Sequence, residues 1–576
     1  MDPRGDRLRF ALAVAALLVT MAAAMTMTAL EENDTYDEAG HLAAGYAYLV
    51  IQDYGFNAEH PPLGNMLSAL PLLVLRPRLP VEHPAWRMRA APVAGALFLY
   101  RNRVRPDVLL LAGRAVTMLF ALLLGLVIAL WARRHFSPAA ALLSLFLFAS
   151  DPNFLAHGHY VTTDLFAAFF IFCACLVWLR YLSTQRLRDL LLAGLVAGAA
   201  LALKFSAIVL WPIFALLDLA RNRRLRAASG LRLVIVAVLA LFVIGLSYWS
   251  ETWQVLRGEL PLSRHSFLLG LGYLAEHNRA GRPSYLLGEV ADHGWWYYFP
   301  IAFLVKTPSV LLVLSLVALV GALGRRLAQS GALLLPAAVY FALSLTSNLN
   351  LGIRHLLPVY PFLFVLAGAA VFHAGWSRRT RLALVALAAA FQLAESVRAH
   401  PHYLAFFNSF VGGSAGGWRY LADSNLDWGQ DIKKLKKHLD RLGVDEVCLA
   451  YFGTTDVAYH GLRRRPLPTS REVASAGLPD CVAAISMNLL LGLYVEPGSY
   501  DWLRSLPPDA VIGHSIRVYD LRKARRAAPS EAQPQARRGP EAGSVEARLI
   551  EGAVQQILDP REQAQAPGLG ERSFVA

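Results

Sequence analysis

The sequence predicts an all-α polytopic membrane protein of about eleven transmembrane helices, followed by a small C-terminal α/β domain outside the membrane. Three observations predict it. Of the 576 residues, 56% are apolar or aromatic and only 17% are charged, too little charge to cover a soluble protein of this length. The apolar residues gather into runs of about 17 to 25, the helix length that crosses a hydrocarbon core of roughly 30 Å. Buried helices of a soluble protein account for one or two such runs, not for a long succession of them. Finally, the net charge of +14 comes largely from arginines at the ends of those runs. That placement is the signature of membrane topology, and it excludes nucleic-acid binding as the reason for the excess charge.

The first run follows MDPRGDRLRF and extends to about Leu30, with Arg4, Arg7 and Arg9 before it. A cleaved signal peptide is the rival reading. The length of the run and the many runs behind it favour an uncleaved first span with its basic end in the cytoplasm. Further spans are expected near 107–132, 139–156, 162–180, 187–203, 206–220, 232–249, 303–324, 331–346, 355–373 and 382–396. Alternate connections are then basic: Arg133 and Arg134; Arg180, Arg186 and Arg188; Arg221, Arg223, Arg224 and Arg226; Arg325 and Arg326; Arg378, Arg379 and Arg381. The long loops 31–106 and 250–300 fall on the other side. Loop 31–106 breaks the pattern, because it holds Arg76, Arg78, Arg87, Arg89, Arg101, Arg103 and Arg105. Its apolar stretches 63–75 and 90–100 are short for a crossing and are expected to be interfacial or re-entrant helices.

The membrane domain is therefore placed at 1–396, including both long loops. Residues 397–525 read as a small α/β domain. DIKKLKKHLDRLG is an amphipathic helix ended by Gly443, and EVCLAYFG, CVAAISMNLL and SIRVYDLR are strand-like. Residues 526–576 have the composition of a disordered tail. Cys173 and Cys175 lie in one apolar run as inert packing. Cys448 and Cys481 can pair only if their domain faces an oxidising compartment, and their spacing leaves the pairing open. No CxxC pair supports a structural zinc or redox site.

Ionisable groups near membrane depth are costly and therefore informative. In EENDTYDEAGHLAAGY, Asp37 and His41 are four apart and share a helix face, while Glu38 points about 100° away. This is either a solvated helix N-terminus, where acids are ordinary, or a functional carboxylate. In NAEHPPLGN, two prolines after His60 fix Glu59 and His60 at the start of the next helix, as a capping turn or as a site. Asp164 heads an otherwise apolar helix, either as a cap or as a carboxylate facing Asp37. Lys204 stands alone between two apolar runs, as a snorkelling lysine or as a held cation. Arg354 and His355 stand at the outer entrance of a span, where cations can grip a phosphate. Aromatic residues of the WWYYF run are ordinary interface anchors or a shallow sugar-stacking surface. The outward turns thus carry acids and cations, while the inward ones carry almost only arginine.

DTYDEAGHLAAGY followed by EHPPLGNMLSALPLL, with TTDLFAAFF, LKFSA and RHLLPVYPF further on, resembles the multispanning lipid-dependent glycosyltransferases. These include protein O-mannosyltransferases, bacterial aminoarabinose transferases and dolichyl-phosphate-mannose-type transferases. DSNLDWGQDIKKLKKHLDR with YFGTTD resembles the outer domain of a bacterial branch. The resemblance covers roughly residues 10–520. It implies the membrane GT-C fold and a sugar donor carried on a polyprenyl phosphate. The acceptor would be a glycan, a lipid or a protein, with transfer on the periplasmic face of a bacterial inner membrane. Carried onto this sequence, it makes Asp37 the catalytic base, with Glu38 and Asp164 beside it. Lys204 and Arg354 match cations that hold the lipid phosphate, grouped with His60, His41 and His355. Several relatives carry Lys near the HPPL motif where this chain has Glu59 and Asn65, so phosphate binding is expected to differ here. No cofactor and no metal site are assigned, although Asp37 and Asp164 are suited to sharing a divalent cation through oxygen ligands. A transporter or flippase is the rival class. It predicts inverted repeats and polar groups at midplane, whereas the singular groups here cluster at one face.

Overall fold

The computed structural model describes residues 3–222, 227–323, 331–373 and 375–523. Among them, seven helices are long and apolar enough to cross a membrane: Arg4–Glu31, Pro106–His135, Thr163–Thr184, Phe205–Asn222, Ala228–Ser247, Ile353–Phe372 and Arg378–Ala399. An eighth is broken, with Tyr298–Lys306 and Ser309–Gly321 meeting at 114°. The expected number of eleven is corrected to seven, or eight with the broken pair. The reason lies in local chemistry that hydropathy ignores. The predicted span 139–156 is divided where Asp151 caps a new helix at Pro152, leaving Pro138–Ala149 with 12 residues. Thr307 and Pro308 likewise interrupt 303–324. The helices Leu187–Leu203 and Gly331–Ser344 have 17 and 14 residues, about 25 and 21 Å at 1.5 Å per residue. The tail 526–576 and the basic positions Arg223, Arg224, Arg226, Arg325 and Arg326 lie outside the described residues.

Short legs still return the chain to the same end of the bundle. Asp164 opens Thr163–Thr184 and Lys204 follows Leu187–Leu203, and the two side chains are bonded. The return leg packs tightly because it is lined by small residues. A Cβ on Gly198 would stand 2.7 Å from the Ala240 Cα of helix Ala227–Ser247. The first loop forms short helices, Glu38–Val50, Leu63–Ala69, Leu72–Leu75, Pro84–Arg87 and Ala91–Tyr100. Helix Glu38–Val50 is buried and lies against two of them. A Cβ on Gly45 would fall 1.9 Å from the Asn65 carbonyl oxygen, so that packing requires glycine.

The loop 250–300 carries a helix, Ser266–Ala280, and an antiparallel hairpin of β1 (Ser284–Leu286) and β2 (Glu289–Ala291). The C-terminal part holds a five-stranded sheet of β3 (Glu446–Ala450), β4 (Arg463–Pro466), β5 (Val482–Ser486), β6 (Ala510–Ile512) and β7 (Ile516–Asp520), in the order β4-β3-β5-β7-β6. β3 is parallel to β4 and β5, while β7 is antiparallel to β5 and β6. Strand alternation divides its side chains between two cores. Val447 and Leu449 pack with Leu435 and Leu439 of helix Ile432–Arg441. Cys448 and Ala450 join the core that continues into the membrane part. Cys448 and Cys481 form a disulfide.

Candidate active site

Four helix ends converge, and each presents one of the singular ionisable residues. Asp37 stands at the N-terminal boundary of helix Glu38–Val50, with its side chain making no capping bond. Asp164 lies in the first turn of Thr163–Thr184, Lys204 joins Leu187–Leu203 to the next 3-10 turn, and Arg354 lies in the 3-10 turn Ile353–Val359. Arg354 Nη1 donates to Asp37 Oδ2 at 2.8 Å and stands 3.7 Å from Asp164 Oδ2. Lys204 Nζ pairs with the other Asp164 oxygen. The order is therefore Asp37, Arg354, Asp164, Lys204, with two negative charges and two positive. Their exposures differ, since the Asp164 side chain is 3% accessible and that of Asp37 25%. The guanidinium occupies the position between the two carboxylates that a shared divalent cation would need.

Histidines surround the chain of charges. His41 faces the same side as Asp37, as its spacing requires, and its Nδ1 is 2.9 Å from Asn65 Oδ1. His60 lies 5.2 Å from it, ring to ring. Burial holds His41 below the ordinary imidazole range, and it pushes His60, with the nearby His41 and Lys204, down to about 3. Both are therefore neutral at neutral pH; His41 gives its one ring N–H to Asn65 Oδ1, while His60 keeps one to donate. His355 neighbours the cluster and faces the Phe299 ring at 6.2 Å.

Glu38 is placed differently from the other predicted site residues. Its carboxylate is fully buried and directed into Arg114, which forks onto it at 2.8 and 2.7 Å. It also accepts the backbone N–H groups of Thr35 and Val161 at 2.9 and 3.0 Å. No acceptor capacity is left for a substrate proton, so the geometry describes a clamp beneath the site. Glu59 pairs with Arg282 at 2.7 Å and accepts from Tyr273, which ties the loop 250–300 to the first loop.

Sequence reasoning missed the contribution of residues 423–431. The Trp428 ring lies under the Arg354 guanidinium, 4.4 Å from its centroid. Asn425 Oδ1 accepts the Ile353 N–H at 2.9 Å, which fixes the turn that presents Arg354. This segment is knitted to the first loop. Asn33 Nδ2 donates to Gly429 O at 2.6 Å and to Thr455 Oγ1 at 2.7 Å, and the Tyr36 N–H donates to Trp428 O at 2.9 Å. Buried Asp34 takes Thr454, Thr455 and Tyr100 hydroxyls. The aromatic rings Tyr36, Phe452 and Tyr494 stack in succession at 5.1 and 5.0 Å. The polar density of DSNLDWGQD was visible in the sequence, but no periodicity in it points to a partner. The ring on the Arg354 guanidinium is Trp428, while Phe299 of the WWYYF run faces His355.

Residues 91–249, which include Asp164 and Lys204, match the model of a family described as dolichyl-phosphate-mannose-protein mannosyltransferase. No match is found among curated proteins. Among solved structures, the chain is similar to ArnT from Cupriavidus metallidurans in the apo state, at 15% identity and a TM-score of 0.46 over 91% of this chain and 100% of that one. The same protein bound to undecaprenyl phosphate gives 14% identity and a TM-score of 0.45 over 90% and 98%. The Archaeoglobus fulgidus oligosaccharyltransferase in its apo form gives 11% identity and a TM-score of 0.46 over 87% and 76%.

Proposed function

We propose that this protein transfers a sugar from a polyprenyl-phosphate donor to an acceptor hydroxyl, with inversion at the anomeric carbon, on the periplasmic face of a bacterial inner membrane. The observation that carries the reading is the convergence of Asp37, Arg354, Asp164 and Lys204 from four separate helix ends. The motif resemblance over the first loop and the family match over residues 91–249 support it.

In this reading Asp37 is the base. It is the more accessible carboxylate of the two, and its Oδ1, without a hydrogen-bond partner among the described residues, orients the acceptor hydroxyl. As that oxygen bonds to the anomeric carbon, its proton passes to Asp37. The bond from the anomeric carbon to the phosphate oxygen breaks on the opposite face, and that oxygen keeps the electron pair. Its developing charge meets Arg354 and Lys204, with His41, His60 and His355 lining the rim. Arg354 Nε is buried without a hydrogen-bond partner among the described residues, so the guanidinium holds a donor in reserve. Glu38 positions the helix that carries Asp37, and Asp164 holds the two cations at a fixed separation.

The test is Asp37→Asn, assayed in proteoliposomes with the donor lipid. Removing the base is expected to lower transfer by roughly 10²–10⁴-fold while donor binding persists. Turnover at the wild-type rate would remove Asp37 from this role. Mass spectrometry of polyprenyl-linked sugars and envelope glycans in a strain lacking the gene would name the sugar and the acceptor. The expected result is donor accumulation with loss of one glycan substituent.

A further inference from the structure

The arginines of the first loop have no part in the chemistry above, yet the fold gathers them. Arg76 ends the short helix Leu72–Leu75 in a left-handed conformation, with φ of 50°. This turns the chain back toward the end of Ala91–Tyr100. Asn102 then binds both backbone groups of Arg78, accepting its N–H at 3.1 Å and donating to its carbonyl at 2.9 Å. The Arg103 guanidinium donates to the Arg76 carbonyl at 2.5 Å. Two turns, 76–78 and 101–105, are thereby locked side by side with all their arginines exposed.

Little nearby charge offsets them. Among the described residues Arg76, Arg78 and Arg103 pair with no carboxylate, and Arg101 and Arg105 meet Asp456 and Asp107 only at 3.7 and 3.8 Å. Just ahead of Arg76 stands a bare apolar knuckle, where Val74 is 84% exposed beside exposed Leu70 and Leu73. On the other side of Arg105 a cavity of about 320 Å³ opens between the ends of the first two spans. Its floor is Leu30, Leu110 and Leu111, and its rim is Arg105, Asp107 and Lys433, where Asp107 pairs with Lys433 at 2.8 Å and leaves one net positive charge. An apolar knuckle, three exposed guanidinium groups that pair with no carboxylate among the described residues, and an apolar slot whose rim carries net positive charge lie along one stretch of the first loop. A soluble surface gains nothing from the knuckle, and a bare hydrocarbon surface would penalise the arginines. A phosphodiester headgroup with acyl chains satisfies both.

We propose that this stretch docks the headgroup of an anionic phospholipid from the leaflet around the protein. The arginines of turns 76–78 and 101–105 take the phosphate, and the adjoining slot takes the start of an acyl chain. This also accounts for arginine on the loop that breaks the charge asymmetry of the other connections.

The experiment uses the full-length protein in detergent, incubated with phosphatidylglycerol or phosphatidylcholine, with retained lipid counted by native mass spectrometry. Wild type should retain phosphatidylglycerol preferentially. The triple variant R76Q/R78Q/R103Q should lose that preference by about five-fold per arginine removed. The pair R133Q/R134Q, at the far end of the second span, should keep it. Excess inorganic phosphate should not displace the lipid, because the chain binds too. Melting curves of the variants check that each remains folded, with a small decrease expected in the triple variant from loss of the Arg103 bond to the Arg76 carbonyl. Equal retention of both lipids by wild type would overturn the proposal, as would unchanged preference in a folded triple variant or full displacement by phosphate.

Discussion

Glu38→Gln separates a structural carboxylate from a chemical one. Both side chains of the Glu38–Arg114 pair are fully buried. The two carboxylate oxygens accept four hydrogen bonds, two from Arg114 and one each from the Thr35 and Val161 backbone. Arg114 also donates to the Ala29 and Asn33 carbonyls at 2.9 and 2.8 Å. One ion pair thus ties the end of the first span, the first loop, the second span and the turn before Thr163. Glutamine keeps the shape, but it offers one acceptor oxygen where two stood, turns an NH2 toward donors, and leaves a buried guanidinium unpaired. Removing one partner of such a pair costs about 3–5 kcal/mol. Glu38→Leu with Arg114→Met, which removes both charges, should cost much less than the sum of the single changes. Unfolding in detergent micelles, followed by tryptophan fluorescence, measures each. The pH dependence supplies a second readout. Burial would raise the Glu38 carboxyl, but the Arg114 charge and hydrogen bonds outweigh it and hold the group below its ordinary 4.5. Its stabilisation is then complete above about pH 4.5 and is lost as pH falls through the lowered value. In Glu38→Gln that part of the acid limb should vanish. A variant that unfolds like wild type yet transfers no sugar would refute the clamp and return Glu38 to the chemistry.

Lys204→Gln leaves Asp164, which is almost inaccessible, with only Arg354 at 3.7 Å; a loss of about 3 kcal/mol is expected. Asp164→Asn with Lys204→Gln should recover much of that stability in melting curves without recovering transfer, and recovery of both would detach the pair from function. Cys448→Ser opens a disulfide spanning 33 residues, for which chain entropy gives about 3–4 kcal/mol. Limited proteolysis of the C-terminal sheet should accelerate as it does for reduced wild type, and an unchanged rate would contradict this. Burial pushes the Asp427 carboxyl up to about 8, against the N–H groups of Asn488 and Gly429 that lower it. Its contribution is fully present below the unfolded value near 3.8 and is lost as pH rises through about 8. Asp427→Asn, which does not titrate, should therefore gain in melting temperature relative to wild type as pH rises across that window. A difference independent of pH would show that Asp427 is ionised in the fold.

The residues that were legible in the sequence are those whose chemistry conflicts with their surroundings. Asp37, Asp164, Lys204 and Arg354 each interrupt or head an apolar run, and the fold brings these four together. Glu38 sits one residue from Asp37 and carries the same charge, so nothing local distinguishes a clamp from a base. Only Arg114, 76 residues away, decides it. The span count failed for a related reason. Hydropathy averages over Ser150–Asp151–Pro152 and Thr307–Pro308, whereas capping and the missing proline N–H end helices at single positions. Trp428 was illegible because its role is a contact with Arg354 across the fold. The order of the sheet was beyond reach, since β3 finds its neighbours β4 and β5 through parallel crossovers that no short turn announces.

The balance of charge at the site constrains how a phosphate could enter it. Two carboxylates already neutralise the two cations, as they must at a membrane boundary where an unpaired charge is costly. An arriving phosphate therefore has to exchange for a carboxylate. Asp164 touches both cations and is nearly inaccessible, so releasing it would strand a buried charge. Asp37 is a quarter exposed and, among the described residues, its side chain is bonded to Arg354 alone, so it is the carboxylate that water can take over. If the phosphate displaces Asp37 from Arg354, donor binding itself frees the base and does so beside the anomeric carbon. The Trp428 ring under the guanidinium limits where Arg354 can go during that exchange. The C-terminal segment thus supplies one wall of the space in which the central ion pair would have to open.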